Sequence, residues 1–296
     1  MRITNVYLKN IGPFATRKEL FCLHTDDDRV LLTGISGSGK STALWAMAFL
    51  WRLLGEKPKD NEENPEGDLA MHLKGLPGGD VLVGWSSNPA FREEISSFHP
   101  DARLLYADKS APDALRGFIT GILPNMILLD ADFHFAQQKQ DFENAWFLTD
   151  DDVKDDWPEA LSRLHRDNRH CAMEVLTAVN RLLVDKKLVI DSSGLVQVQL
   201  KSNEHHGPHQ LSMGERHMAV LCFCAACCLQ KGGVLLLDEP AVHLHPSQVI
   251  GLLATLEGFC RKADGQMLLV SHNPAIWQRY GELGLSVELE VSHGVK

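Results

Sequence analysis

Residues 34–42 read GISGSGKST, and no other stretch restricts the possible folds of the chain as strongly. Gly34, Gly39, Lys40 and Ser41 fill the fixed places of the spacing G-x-x-x-x-G-K-[ST], with Ser36, Gly37 and Ser38 inside it and Thr42 just after. The apolar run Val30, Leu31, Leu32 precedes the loop, and a helix-forming run at 43–54 follows it. The local order is therefore strand, glycine-rich loop, helix, which is the context this spacing requires. Glycines let the backbone wrap a polyphosphate and aim successive N–H groups at it, where the positive end of the helix dipole also lies. Lys40 is placed to reach the β/γ-phosphates, and the Ser41 hydroxyl to ligate Mg²⁺.

Two later runs belong with this loop. Val234, Leu235, Leu236 and Leu237 form an unbroken apolar strand ending in Asp238-Glu239-Pro240. Met267 to Val270 forms another, ending in Ser271-His272-Asn273. Strands apolar on both faces are expected in a parallel sheet covered by helices. Ligands of such sheets bind beyond the carboxyl ends of the strands, so Lys40, Asp238, Glu239 and His272 are expected around one nucleotide. Asp238 suits a Mg²⁺ anchor, Glu239 a group that orients and polarises the attacking water, and His272 a donor to the γ-phosphate.

Composition narrows the partners. The net charge of −10 counts against constitutive binding to nucleic acid, which favours a basic surface. A local patch from Lys57, Lys59, Lys186, Lys187 and Lys201 remains open, although the first two sit among Glu56, Asp60 and Glu62. The longest apolar run, 218–229, is too short to span a bilayer, and the start MRITNVYLKN lacks the apolar core of a signal peptide, so a cytoplasmic protein without a membrane partner is expected. Of the seven cysteines, Cys222, Cys224, Cys227 and Cys228 lie together, while Cys22, Cys171 and Cys260 are scattered. They read as small core residues in a reducing compartment. His205, His206 and His209 read as a polar loop.

Residues 1–33 are expected as β-structure with a turn at Gly12-Pro13. Tyr7 or Phe14 is a candidate to stack on adenine or, alternatively, to fill the core. Residues 56–130 read as an inserted α+β lobe that opens with a polar surface loop. A glutamine-containing segment follows at 136–146, and then Asp150, Asp151, Asp152, Asp155 and Asp156, read as a solvated face. Residues 157–184 have helical spacing, and 188–190 with 195–200 read as a hairpin around Ser192-Ser193-Gly194.

The order GISGSGKS, glutamine segment, LSMGE (211–215), LLLDEP, LLVSH resembles the ABC-type ATPase head, and DEPAVHLHP (238–246) resembles its soluble branch containing the OLD, RecF and SMC-like ATPases. The resemblance covers about residues 1–55 and 130–290. It implies an α/β P-loop NTPase fold of ABC type. Its parts would be a mixed central sheet, an N-terminal antiparallel β subdomain, a helical signature lobe at about 141–230 and the insert at 56–130, with residues 1–55 and 130–296 forming the head. It implies ATP and Mg²⁺ as ligands, Gln138 (or Gln137) touching Mg²⁺ and the water, and His272 as the switch histidine. Ser212, Gly214 and Glu215 open the signature helix, which would face a nucleotide held by a second copy. ATP binding would then close a homodimer, and hydrolysis would release it. Met213 departs from the usual signature, and His245 stands where the family usually carries aspartate. There is no long heptad segment, so no SMC-like rod is expected, and any effector is expected on a separate chain, in antiviral defence or DNA maintenance. A RecF-like DNA-binding ATPase is the alternative. A transporter subunit is disfavoured by the long gap between Lys40 and Gln138 and by DEPAVHLHP.

Overall fold

The computed structural model describes residues 1–14, 19–22, 27–55, 66–111, 124–129, 147–148 and 157–289. The first half contains β1 (Arg2–Lys9), β2 (Glu19–Cys22), β3 (Arg29–Thr33), α1 (Lys40–Gly55), β4 (Asp68–Lys74), β5 (Val81–Trp85), α2 (Pro89–Phe98), β6 (Arg103–Ala107), β7 (Met126–Leu129) and β8 (Phe147–Leu148). The second half contains α3 (Trp157–Asp167), α4 (Arg169–Leu182), β9 (Lys186–Ile190), β10 (Val196–Leu200), β11 (His205–His206), α5 (Met213–Phe223), β12 (Val234–Asp238), α6 (Pro246–Lys262), β13 (Gln266–Val270), α7 (Pro274–Glu282) and β14 (Ser286–Glu288). A π-helical turn, Cys224–Cys228, continues α5.

Among the described residues, a six-stranded sheet in the order β14-β3-β13-β12-β7-β8 has the loop strand β3 second from one edge. Every pairing in it is parallel. Alternation along the strands splits the core in two. Leu31, Leu235, Leu237, Met267 and Leu269 face the helices α3 to α7. Val30, Leu32, Val234, Leu236, Leu268 and Val270 face α1 and the N-terminal sheet. Both faces are covered, so these strands are apolar at every position but their ends. Helix α1 lies between two sheets, which is why Leu44, Met47, Leu50, Trp51 and Leu54 are buried around most of its circumference. Burial of each such side chain stabilises the fold by about 2 kcal/mol.

The second sheet has the order β2-β1-β4-β5-β6, antiparallel except for the parallel pair β5–β6. One expectation changes here. The described part of 56–130 does not stand apart as an inserted lobe, because β4 pairs with β1 along most of its length and β7 pairs with β12. Short apolar runs do not reveal their partners, and these strands complete sheets begun elsewhere in the chain. The mixed pairing falls in this N-terminal sheet, where a hairpin connection gives antiparallel neighbours and the crossover through α2 gives a parallel one. The two sheets are joined by Gln266, whose buried side chain accepts from Ile3 N at 2.8 Å and donates to Ile3 O at 3.1 Å.

The helical stretch from 157 is two helices, with Asn168 capping the second through Cys171 N. The hairpin is β9–β10, and His205 and His206 extend it as a short third strand where a loop was expected. Tyr7 is buried, hydrogen-bonded to His99 at 2.6 Å and stacked on Phe98, and Phe14 is buried against Gly39. Both are core residues.

Candidate functional site

The site is set by register. Leu32 pairs with Val270, and Val270 pairs with Asp238, so β3, β13 and β12 end level with one another. The residues that leave these ends are the glycine-rich loop, Ser271-His272 and Glu239. Segments from opposite ends of the chain therefore meet, because parallel strands have their carboxyl ends on the same side.

Each side chain is held locally. Gly39 has φ +93, and a Cβ there would lie 2.4 Å from Phe14 Cζ, so only glycine lets the loop turn into α1 at this point. Lys40 is buried and donates to Gly34 O and Ile35 O, both at 2.9 Å, which folds its ammonium back under the loop. Burial lowers the Lys40 pKa, opposed by the charges of Glu239 and then Asp238. Those two carboxylates are thus close enough to act on the ammonium.

Glu239 has φ +53, the left-handed region that side chains rarely adopt, while its N–H still bonds Val270 O at 2.9 Å. This geometry bends the chain out of β12 and turns the carboxylate toward β13. Ser271 Oγ donates to Glu239 Oε2 at 3.1 Å, and His272 Nε2 lies 3.9 Å from Glu239 Oε1. Burial raises the Glu239 pKa above the usual carboxylate range, opposed by the Ser271 hydrogen bond and by His272. The His272 side chain is 53% exposed, so its ring can reach a ligand as well as Glu239. Trp277 braces it, with its ring 6.4 Å from the His272 ring and its indole N–H donating to Ser271 O.

The donor set fits a nucleotide with magnesium. Ser38 Oγ and Glu239 Oε1 are buried polar atoms without a hydrogen-bond partner, both at the site. Oxygen donors such as Ser41 and Asp238 suit a hard cation that takes its remaining ligands from phosphate and water.

The signature turn lies beside the next loop. Ser212 caps α5 by accepting from Glu215 N at 3.3 Å, and Glu215 returns the bond to Ser212 N at 2.9 Å. The Glu215 carboxylate is also paired with Lys186 of β9 at 3.0 Å, which commits it to organising this turn. A Cβ on Gly214 would stand 2.4 Å from His243 O, so glycine allows the helix start to touch the loop after β12. His217, one turn on, bonds Pro240 O at 3.0 Å from a buried position. Met213 is 58% exposed at the surface of the same turn. His245 caps α6 by accepting from Ser247 N. Gln137 and Gln138 lie outside the described residues.

Sequence reading gave no site role to Ser271 or His217, and took Lys186 only as part of a possible basic patch. Ser271 precedes the singled-out histidine and could have been suspected from that position. Lys186 and His217 act through partners 29 and 23 positions away, which spacing does not reveal.

Residues 105–277, more than half of the chain, match the family described as "AAA domain, putative AbiEii toxin, Type IV TA system". A 77-residue stretch is 39% identical to the thiamine import ATP-binding protein ThiQ of Photorhabdus laumondii subsp. laumondii, spanning 26% of this chain and 32% of that protein. The chain thus matches about a third of the length of that curated relative. An SMC head solved with the C-winged helix domain of ScpA is similar in structure, with a TM-score of 0.53 and 16% identity over 94% of this chain and 92% of that one. The SMC head domain from Thermotoga maritima gives a TM-score of 0.48 and 14% identity over 94% and 92%. In the described residues no helix is long and apolar enough to cross a membrane. Strand order, phosphate-loop context and family match agree: this chain belongs to that AAA-domain family and has the architecture of an ABC/SMC-type ATPase head.

Proposed function

We propose that the protein is an ATP-hydrolysing switch that closes when two copies sandwich nucleotide and that acts on a separate partner chain. The observation that supports this best is the level row Leu32, Val270, Asp238, because it sets Lys40, Glu239 and His272 around one point. In this reading Gly34, Ser36, Gly37, Ser38, Gly39 and Thr42 cradle the phosphates, and Lys40 swings from its backbone acceptors to the β/γ-phosphates. Mg²⁺, held by Ser41 and Asp238, would neutralise phosphate charge when bound. Glu239 orients the attacking water and draws on its proton, which its raised pKa suits. Ser271 keeps that carboxylate aimed, and His272 joins the carboxylate to the γ-phosphate. Gln138 is assigned to the same water.

Closure is supported by the exposed signature turn, whose cap directs the N-terminus of α5 outward. A second copy supplying Ser212 and Gly214 to the first copy's nucleotide would complete each site. A separate partner follows by analogy with the SMC head that was solved with a ScpA domain. Antiviral defence or DNA maintenance is the setting we favour. Constitutive DNA binding gains little support, since Lys186 is paired with Glu215 and Lys201 with Asp185.

The test is the Glu239→Gln chain with MgATP, followed by native mass spectrometry and by pull-down from its host. A nucleotide-dependent dimer that retains a partner supports the switch. A monomer with ATP bound and no change in partners rejects it.

A further inference from the structure

Far from the phosphate loop, two of the scattered cysteines meet. Cys171 lies in the first turn of α4, and Cys227 lies in the π-helical turn that ends α5. Their Sγ atoms are 2.9 Å apart, well inside sulfur van der Waals contact. Both are partly accessible, whereas Cys222, Cys224 and Cys260 are buried. A groove of about 690 Å³ between α4 and α6 is lined by His170, the neighbour of Cys171 in sequence, and by Met173, Glu174 and Phe259 among others.

The two thiols are not equivalent. Cys171 N bonds the Asn168 cap, so its sulfur sits at the positive end of the helix dipole. A thiolate at Cys171 is lowered in pKa by the hydrogen bond from Cys227, against the effect of burial. The Cys227 thiol is raised by the same bond and then by burial. Ala226 O, 3.7 Å from Cys171 Sγ, accepts from Cys171 when it is protonated. Burial pushes Cys222 and Cys260 up to about 12, which disfavours their thiolates.

We propose that Cys171 and Cys227 form a peroxide-reactive dithiol that closes to an intramolecular disulfide. The Cys171 thiolate attacks the terminal oxygen of a hydroperoxide, the O–O bond breaks, and the leaving alkoxide or hydroxide takes up a proton. Cys171 is then a sulfenic acid. Cys227 Sγ attacks that sulfur, the S–O bond breaks, and the departing hydroxide leaves as water with the Cys227 proton. Two thiols are oxidised, and one peroxide is reduced to an alcohol (or water) and water. Closure needs less than about 1 Å of movement to reach a disulfide length of about 2.05 Å. The bond would tie the tail of the signature helix α5 to α4. The chemistry does not depend on ATP hydrolysis.

The experiment treats the full reduced chain with hydrogen peroxide, blocks the remaining thiols and maps non-reduced tryptic peptides by mass spectrometry. The expected product joins 170–181 to 217–231, is monomeric and is reversed by dithiothreitol. It should vanish in Cys171→Ser and Cys227→Ser and persist in Cys228→Ser. At neutral pH, Cys171 should alkylate at least about tenfold faster than Cys260. Circular dichroism of each variant checks that loss of the product does not reflect unfolding. Sulfinic acid at Cys171 without a cross-link, a link that survives Cys227→Ser, or only intermolecular disulfides would overturn the proposal.

Discussion

Ser271 Oγ donates to Glu239 Oε2 at 3.1 Å, joining the ends of two neighbouring parallel strands. The same hydroxyl accepts from Asn273 N at 3.1 Å, so it is fixed by the turn that leads into α7. A half-buried carboxylate in a left-handed backbone position has few other ways to stay aimed. Replacing Glu239 by Gln should lower kcat of ATP hydrolysis by about 10²–10⁴-fold. Ser271→Ala should cost less, about 10- to 100-fold, which is the scale of one hydrogen bond to a charged group. It should also change the pH profile. The Ser271 bond favours the ionised carboxylate, so its loss raises an already elevated Glu239 pKa and moves the acidic limb of kcat to higher pH. An unmoved limb would mean that Ser271 serves only the turn.

Lys40 is the ammonium among Asp238, Glu239 and the loop carbonyls. With MgATP at about 100 times Kd, the wild-type chain should gain about 2.7 kcal/mol, a rise in Tm of roughly 4 °C. Lys40→Ala should show almost no rise in the same thermal-shift measurement. A full shift in the variant would place the nucleotide elsewhere.

Gly214 tests the contact between the signature turn and the loop after β12. In Gly214→Ala, the new Cβ meets a backbone carbonyl that cannot rotate away. The cost should be about 1–3 kcal/mol in urea unfolding, with the α5 start displaced from His243. Gly37→Ala is a poor control because of its φ of +81, whereas Gly258, in α6 with open space around it, should tolerate alanine.

Two buried histidines tie stability to pH. Burial, and then the neighbouring His99, lower the His72 pKa to about 4; Lys74 adds to this and Asp80 opposes it. His72 also hydrogen-bonds Thr4 Oγ1 at 2.6 Å and stacks on the His99 ring. Burial lowers His217 to about 4 as well, against its bond to Pro240 O. In both cases the folded pKa lies below the unfolded value of about 6.5. Their contribution is therefore fully present above pH 6.5 and is lost as pH falls toward 4. Urea midpoints should fall across that window. They should fall less steeply in His72→Gln and in His217→Gln, provided each variant folds at pH 7.

Glu257 is a buried carboxylate of α6 held by Arg29 of β3 at 2.9 Å, by Arg279 of α7 at 2.7 Å and by Tyr280 at 3.1 Å. Glu257→Ala leaves two guanidinium groups without their shared partner and should cost about 3–5 kcal/mol. Equilibrium unfolding would show it as a lower midpoint with an unchanged slope.

The residues alone were enough to single out the glycine-rich loop and the two apolar strands that end beside it. Gly34, Gly39, Lys40 and Ser41 sit at a fixed spacing because one loop must wrap one phosphate chain, and local geometry of that kind is written contiguously. The run before Asp238 and Glu239 is equally local: Val234, Leu235, Leu236 and Leu237 are apolar on both faces because both are covered. Which strands lie side by side was decided only in three dimensions. Nothing in residues 68–74 says that they pair with Arg2–Lys9, so an apparent insert proved to be part of the N-terminal sheet. The Ser271–Glu239 bond, the Lys186–Glu215 pair and the Cys171–Cys227 contact join residues 29 to 56 positions apart. Such contacts depend on register and helix packing, which arise from burial of the whole chain and leave no periodic trace in any one segment.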